Sequence, residues 1–317
     1  MQDDPIRHIF FPYADDRSRA VADSHRRFVY YTTAETAFRI LKNREIWMRN
    51  TATMNDYLEV EHGFECLNAA YKSESGKLFR QAVDTHYPDL TNEVVTDFNS
   101  WLPGLRGETY ITCVSEHLDS EDQNGRLSMW RAYGGNAGIA LVLKPAVMFL
   151  ENDSLGISAN PVAYFSQSDV ELEFQRIAAR VRENATEVLA LGRERASMIL
   201  LNMFRSAALC TKHPGFSEEL EWRVVANPLM FRSSVLTQSV EVIHGIPQIV
   251  QKINLTNRPE DGLLGLELSE ILDRVIIGPC AYSDVVRKAL YQLLVACNVA
   301  EPEHRLYMSD IPLRSTT

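Results

Sequence analysis

The chain has 317 residues, a formal net charge of −10, 45% hydrophobic and 23% charged residues. This composition supports a sizeable buried core and predicts one elaborated globular domain, not two large ones. The acidic balance repels phosphate backbones at long range, which disfavours a dedicated nucleic-acid-binding domain while leaving room for a local basic groove.

Residues 1–25 are polar and charged and read as a lead-in; residues 26–317 read as the domain. Residues 1–7 are acidic and lack an apolar run, so no signal peptide is expected. Phe28-Val29-Tyr30-Tyr31 is a short strand. Thr32 with Glu35 three positions later makes a capping box. Ala37, Ile40 and Leu41 at helical spacing then predict a helix ending near Asn43, and Ile46-Trp47-Met48 a second strand. Asn55 and Asp56 cap a helical region that runs with breaks to about Trp101, before a loop at Pro103-Gly104 and Gly107. Residues 109–114 are β-branched and predict a strand. A polar loop follows, then a short helix over 127–133 closed by Gly134-Gly135, then a buried apolar strand over 139–143. Residues 170–209 read as one or two helices with a break at Gly192. Strands at 222–226, 240–243 and 274–277 and a helix over 283–297 complete an α+β pattern, with helical insertions at about 55–101 and 168–209.

The five cysteines are odd in number and include no Cys-x-x-Cys pair, and no His-Glu-x-x-His is present. Neither a disulfide framework nor a metal site is expected. No stretch approaches the ~18 apolar residues of a membrane span, so no transmembrane helix and no membrane partner is expected; reduced cysteines make a cytoplasmic protein the simpler expectation. No Gly-x-Gly-x-x-Gly or P-loop appears.

Three blocks carry candidate chemistry: Tyr30-Tyr31-Thr32; Thr112-Cys113-Val114-Ser115-Glu116 leading to Ser128-Met129-Trp130-Arg131-Ala132-Tyr133-Gly134; and Phe216-Ser217-Glu218-Glu219-Leu220-Glu221-Trp222-Arg223. Taken singly, each has an ordinary explanation. Thr32 caps a helix, Trp130 packs inside, and Glu219 and Glu221 line a solvated strand edge with Leu220 and Trp222 inward. Their order is more specific. Together with Asn55, Asp56 and Glu59, Lys212 before the Glu-x-Glu-Trp-Arg run, Ile276-Ile277-Gly278-Pro279 and a terminal Ser309-to-Arg314 motif, it resembles a large uncharacterised bacterial domain family over about residues 28–314.

More distantly, the layout resembles ADP-ribosyltransferases of the His-Tyr-Glu type. In those enzymes a first strand carries His or Arg and then Thr, a middle strand carries Ser and leads to a helix ending in Tyr, and a late strand begins with the catalytic Glu. Tyr30-x-Thr32, Ser115, Tyr133 and Glu221 occupy those places, with Tyr30 departing from His or Arg. The resemblance implies a split mixed or antiparallel sheet with a helical insertion, NAD as co-substrate, and a macromolecular acceptor that is protein or nucleic acid. It also implies a toxin or anti-phage role, and with it an inhibitory, antitoxin-like partner. A carboxylate under the ribose stabilises the cation that forms as nicotinamide leaves. Glu221 is the candidate, with Glu219 to orient or deprotonate the acceptor, or the two in reversed roles. Tyr133 and either Tyr30 or Tyr31 would wall the nicotinamide, with Trp130 the weaker wall. Thr32 and Ser115 would bond the adenosine side or the ribose, and Asn55 would belong to a loop over the dinucleotide. Arg49, Arg131 and Arg223 are candidates for the pyrophosphate, Arg223 equally for an ion pair with Glu221.

Overall fold

The computed structural model describes residues 5–53, 57–145, 153–243 and 245–312. The chain folds into two compact units. Residues 1–23, 51–109 and 160–217 form one, and residues 24–50, 110–159 and 218–317 the other.

The first unit is helical. The segment expected as a lead-in folds into α1 (Pro5–Phe10) and α2 (Pro12–Asp23), which bury Ile9, Phe10 and Val21. It is joined by α4 (Tyr57–Lys72), α5 (Glu74–Asp84), α6 (Leu90–Gly107), α8 (Gln167–Glu183), α9 (Ala185–Ala190) and α10 (Arg193–Leu209). Helix α8 starts where Ser166 accepts from the Asp169 amide and Asp169 accepts from the Ser166 amide, a reciprocal cap that satisfies two otherwise orphaned donors. Phe79, Phe174 and Phe204 interlock at the centre, with Phe79 and Phe174 at 4.9 Å between ring centroids. The loop expected at Pro103-Gly104 is instead the last turn of α6, which carries Pro103 within it. The break at Gly192 is real: its φ of +74° suits glycine and precedes α10. A short parallel pair, β6 (Ala163–Tyr164) with β7 (Thr211–Lys212), completes this unit.

The second unit is built on a mixed sheet, ten-stranded among the described residues. Its strands are β1 (Arg27–Thr33), β2 (Glu45–Asn50), β3 (Tyr110–His117), β4 (Gly138–Leu143), β5 (Ile157–Pro161), β8 (Glu221–Ala226), β9 (Thr237–Ile243), β10 (Ile246–Asn254), β11 (Leu272–Ile277) and β12 (Leu306–Met308). The main path runs β12-β11-β4-β1-β3-β2-β10-β9, and β8 pairs with β3 and β5. Strands β11 and β12 are parallel; the pairs around β1, β3 and β8 are antiparallel. Strand β10 escaped the sequence pattern because Pro247 and the polar Gln248, Gln251 and Lys252 interrupt its apolar alternation.

One edge of β3 is occupied by β8 along residues 110–115. Strands β1 and β2 must therefore share the other edge, β1 at residues 115–117 and β2 at 110–111. The sheet forks between them, and α3 (Ala34–Asn43) bridges β1 to β2. The helix is capped by Thr33, whose hydroxyl accepts from the Thr36 amide, and not by Thr32, which is buried on β1. Helices α3 and α12 (Ser283–Ala296) cover one face through Ile40, Leu41, Leu290 and Leu294, packed on Ile139, Leu141 and Val275. Helix α7 (Leu127–Tyr133) covers the opposite face through Met129 and Trp130, packed on Val29, Tyr31 and Ala140.

Candidate functional site

Strands β1, β3 and β8 bring the three sequence blocks side by side. Val29 lies opposite Ser115, and Ser115 opposite Glu221. Side chains alternate along a strand, so Val29, Tyr31, Cys113, Ser115, Glu221 and Arg223 share one face. Phe28, Tyr30, Glu116 and Trp222 point the other way. The Glu116 carboxylate takes the Trp222 indole N–H at 3.0 Å through one oxygen and Arg26 at 2.8 Å through the other. Phe28 packs edge-on against Trp222 at 5.2 Å. The Ser-Glu and Glu-Trp-Arg motifs are thus two halves of one cross-strand contact.

Glu221 is only 6% exposed, and Arg223 is fully buried beside it. The Arg223 Nε donates to Glu221 Oε1 at 2.8 Å. Of the two roles foreseen for Arg223, the ion pair is the one formed. Glu219 does not share a regular strand with Glu221. It ends a 3₁₀ turn over Pro214–Glu219, and Leu220 turns the chain with a φ of +46° before β8 begins. That turn is clamped by Arg126. Its guanidinium donates to the carbonyls of Glu218, Glu219 and Glu116, and pairs with Glu121 at 2.7 Å. The Arg126 amide in turn donates to the Tyr31 hydroxyl at 2.8 Å.

Tyr31 is therefore a buried support and not an open wall. Its ring lies edge-on to Trp130 at 4.9 Å, and burial, with Glu121 nearby, pushes its hydroxyl pKa upward. Trp130, proposed as the weaker wall, is 2% exposed and donates its indole N–H to the Asn124 carbonyl. Backbone closes around its ring. A Cβ on Gly125, Gly138 or Gly278 would come within 2.6, 2.9 or 2.8 Å of it. Those glycines were the sequence signal for this packing, scattered too far apart to read as one feature.

Tyr30 is half-buried where the sheet forks. Its hydroxyl lies beside the Thr112 side chain of β3. Burial and Cys113 raise its pKa, while Thr112 and the nearby Arg39 and Arg49 oppose the rise. Arg49 reaches Gln248 at 3.4 Å. Arg39 stacks on Trp47 at 3.6 Å. Arg39 falls in no motif, and Thr112 opens the second block without a role assigned to it; only the fork brings them to Tyr30. Tyr133, at the end of α7, is 40% exposed, and Arg131 is exposed with it. Ser115 and Thr32 are buried within their strands. Asn55 and Asp56 lie outside the described residues.

His117, at the far end of β3, has a side chain with no exposure. One ring nitrogen bonds Asp122 at 2.8 Å, while Nδ1 has no hydrogen-bond partner and lies 3.9 Å from Glu121. Burial lowers its pKa, with Asp122 opposing. Among the described residues no helix is long and apolar enough to cross a membrane.

No curated protein and no solved structure matches the chain. A family match covers under a third of it, narrower than the expected span of 28–314. Residues 129–224, from the buried face of α7 to the Glu-Trp-Arg strand, match a family described as "Protein of unknown function (DUF2971)".

Proposed function

We propose that the chain is an NAD-dependent ADP-ribosyltransferase in which Glu221 is the ribose-contacting carboxylate. The observation that carries this reading is the buried, Arg223-oriented carboxylate of Glu221 at the start of β8, opposite Ser115. A fixed carboxylate stabilises positive charge that develops only in the transition state, and needs no reorganisation to do so. The exposed Tyr133 ends the helix that covers the Glu221 face and offers a ring to a flat cationic group.

In this reading the bond between ribose C1′ and the nicotinamide nitrogen breaks, and its electron pair leaves with nicotinamide. The acceptor nucleophile then bonds C1′ and loses a proton, with Glu219 the nearest candidate base in sequence. The acceptor is a macromolecule, protein or nucleic acid, and such an enzyme fits a toxin or anti-phage effector held in check by an inhibitory partner. With water as acceptor the same chemistry is NAD hydrolysis. A labelled-NAD assay separates these outcomes: label on macromolecules means transfer, and free ADP-ribose alone means hydrolysis. Tyr30, where related enzymes carry His or Arg, favours a second reading, a non-enzymatic binding module. The absence of both NAD turnover and a thermal shift with NAD would establish that reading and sink the first.

A further inference from the structure

Strand β9 ends the main path of the sheet. Among the described residues its one neighbour is β10, with which it pairs over 7 residues without a register shift. Its outer edge therefore presents a row of backbone N–H and C=O groups that another strand can complete. The common safeguards of an open edge are missing, since β9 has no proline, no lysine and no bulge. Side chains alternate, so Gln238, Val240 and Val242 share a face with Pro247 and Ile249 of β10. Val240 is 70% exposed and Val242 66%. Farther in, the same face of β10 carries Ile253, clustered with Met48 and Tyr110 in the core. The apolar face of the core thus continues to the rim of the sheet.

Charge and symmetry say what fits there. The chain carries a net charge of −10, so two copies repel over most of their surface. Strand β9 holds one charged side chain, Glu241, and Lys252 neutralises it at 2.8 Å. A two-fold axis perpendicular to the sheet would pair β9 antiparallel with its own copy and keep both apolar faces on one side. A parallel pairing would set the apolar face beside the polar one. Val240 is the midpoint of Thr237–Ile243, so a pairing centred on it uses the whole strand. That register sets Val240 opposite its copy, Val242 opposite Gln238 and Glu241 opposite Ser239. Ser239 donates to Glu241 at 2.9 Å within the strand, and the same two side-chain types would meet across the axis. Centring on Glu241 would oppose two carboxylates, which destabilises a sheet.

We propose that β9 is a dimerisation edge, on which a second copy of this chain adds antiparallel with Val240 at the two-fold axis. The surface takes no part in the Glu221 chemistry, and the proposal is independent of the NAD reading.

Sedimentation velocity of the full chain up to about 0.1 mM should show a concentration-dependent monomer–dimer equilibrium. Val240→Lys and Val240→Glu each oppose like charges across the axis and should weaken self-association at least about tenfold. The side chain is exposed, so both variants should keep the native circular dichroism spectrum. Mixed in equal amounts, the two should associate with each other more tightly than either does with itself, because Lys then faces Glu. A chain that stays monomeric throughout would leave the edge to some other strand and overturn the proposal. Native-strength dimers of a folded Val240→Lys or Val240→Glu protein, or a mixture no tighter than the separate variants, would overturn it too. Glu221→Gln should dimerise as the native chain does, so failure of the NAD reading and failure of this interface are distinguishable.

Discussion

The Nε of Arg223 donates to Glu221 Oε1 across 2.8 Å, with the arginine side chain fully buried and the glutamate 6% exposed. The two residues alternate along β8, so both leave the strand on the face that carries Ser115 and Tyr31. A charge pair this deep is costly to break from one side, because the survivor stays buried without its partner. Arg223→Ala is expected to destabilise the protein by about 3–5 kcal/mol, measured by urea unfolding. Glu221→Gln keeps an acceptor oxygen for Arg223 and should fold, while NAD turnover falls at least about 100-fold. Unchanged turnover in a folded Glu221→Gln protein would rule out the catalytic assignment.

The Arg126 clamp predicts a different phenotype. Lysine has a single ammonium and cannot serve the carbonyls of Glu116, Glu218 and Glu219 together with the Glu121 carboxylate. Arg126→Lys should keep the fold and lower NAD turnover about tenfold to about 100-fold, by letting the turn ahead of Glu221 drift. Steady-state kinetics beside circular dichroism checks this. A loss of folded signal without any change in turnover per folded molecule would count against a positioning role.

The backbone around Trp130 predicts a purely structural effect. A Cβ on Gly138 would sit 2.8 Å from the Gly134 Cα as well as 2.9 Å from the Trp130 ring, and neither neighbour has room to yield. Gly138→Ala should cost about 1–3 kcal/mol through overpacking. Denaturant midpoints, with Trp fluorescence reporting the local environment, measure it.

His117 gives the fold a pH dependence. In the unfolded chain it titrates near its ordinary 6.5, and burial holds the folded value lower. The unfolded state therefore takes up the proton first, so stability falls as pH drops below about 6.5 towards the folded value. The groups facing it are Asp122, Glu121 and Arg27, of which Arg27 opposes the proton and the carboxylates favour it. His117→Gln should flatten the stability profile between about pH 7 and about pH 5. A variant profile parallel to the native one would show that other groups set the slope.

Local pattern determined much of the secondary structure. The apolar run at 139–143 became β4, the helical spacing of Ala37, Ile40 and Leu41 became α3, and residues 127–133 became α7 at the bounds expected. These signals survive because period and capping act within a few residues. The order of the three motif blocks was also legible, and it singled out Glu221 and Ser115 before the register of their strands was known. Tertiary structure decided what each of those residues touches. Thr33 and not Thr32 caps α3, because Thr33 is the residue directly before the helix and its hydroxyl reaches the Thr36 amide. Glu219 left the strand because Leu220 takes a left-handed turn. Tyr31 and Trp130 became supports, and Glu221 turned from an apparent surface carboxylate into a buried one. Burial and partnership depend on strand register: Ser115 meets Glu221 across more than a hundred residues of intervening chain, and no local spacing encodes that pairing.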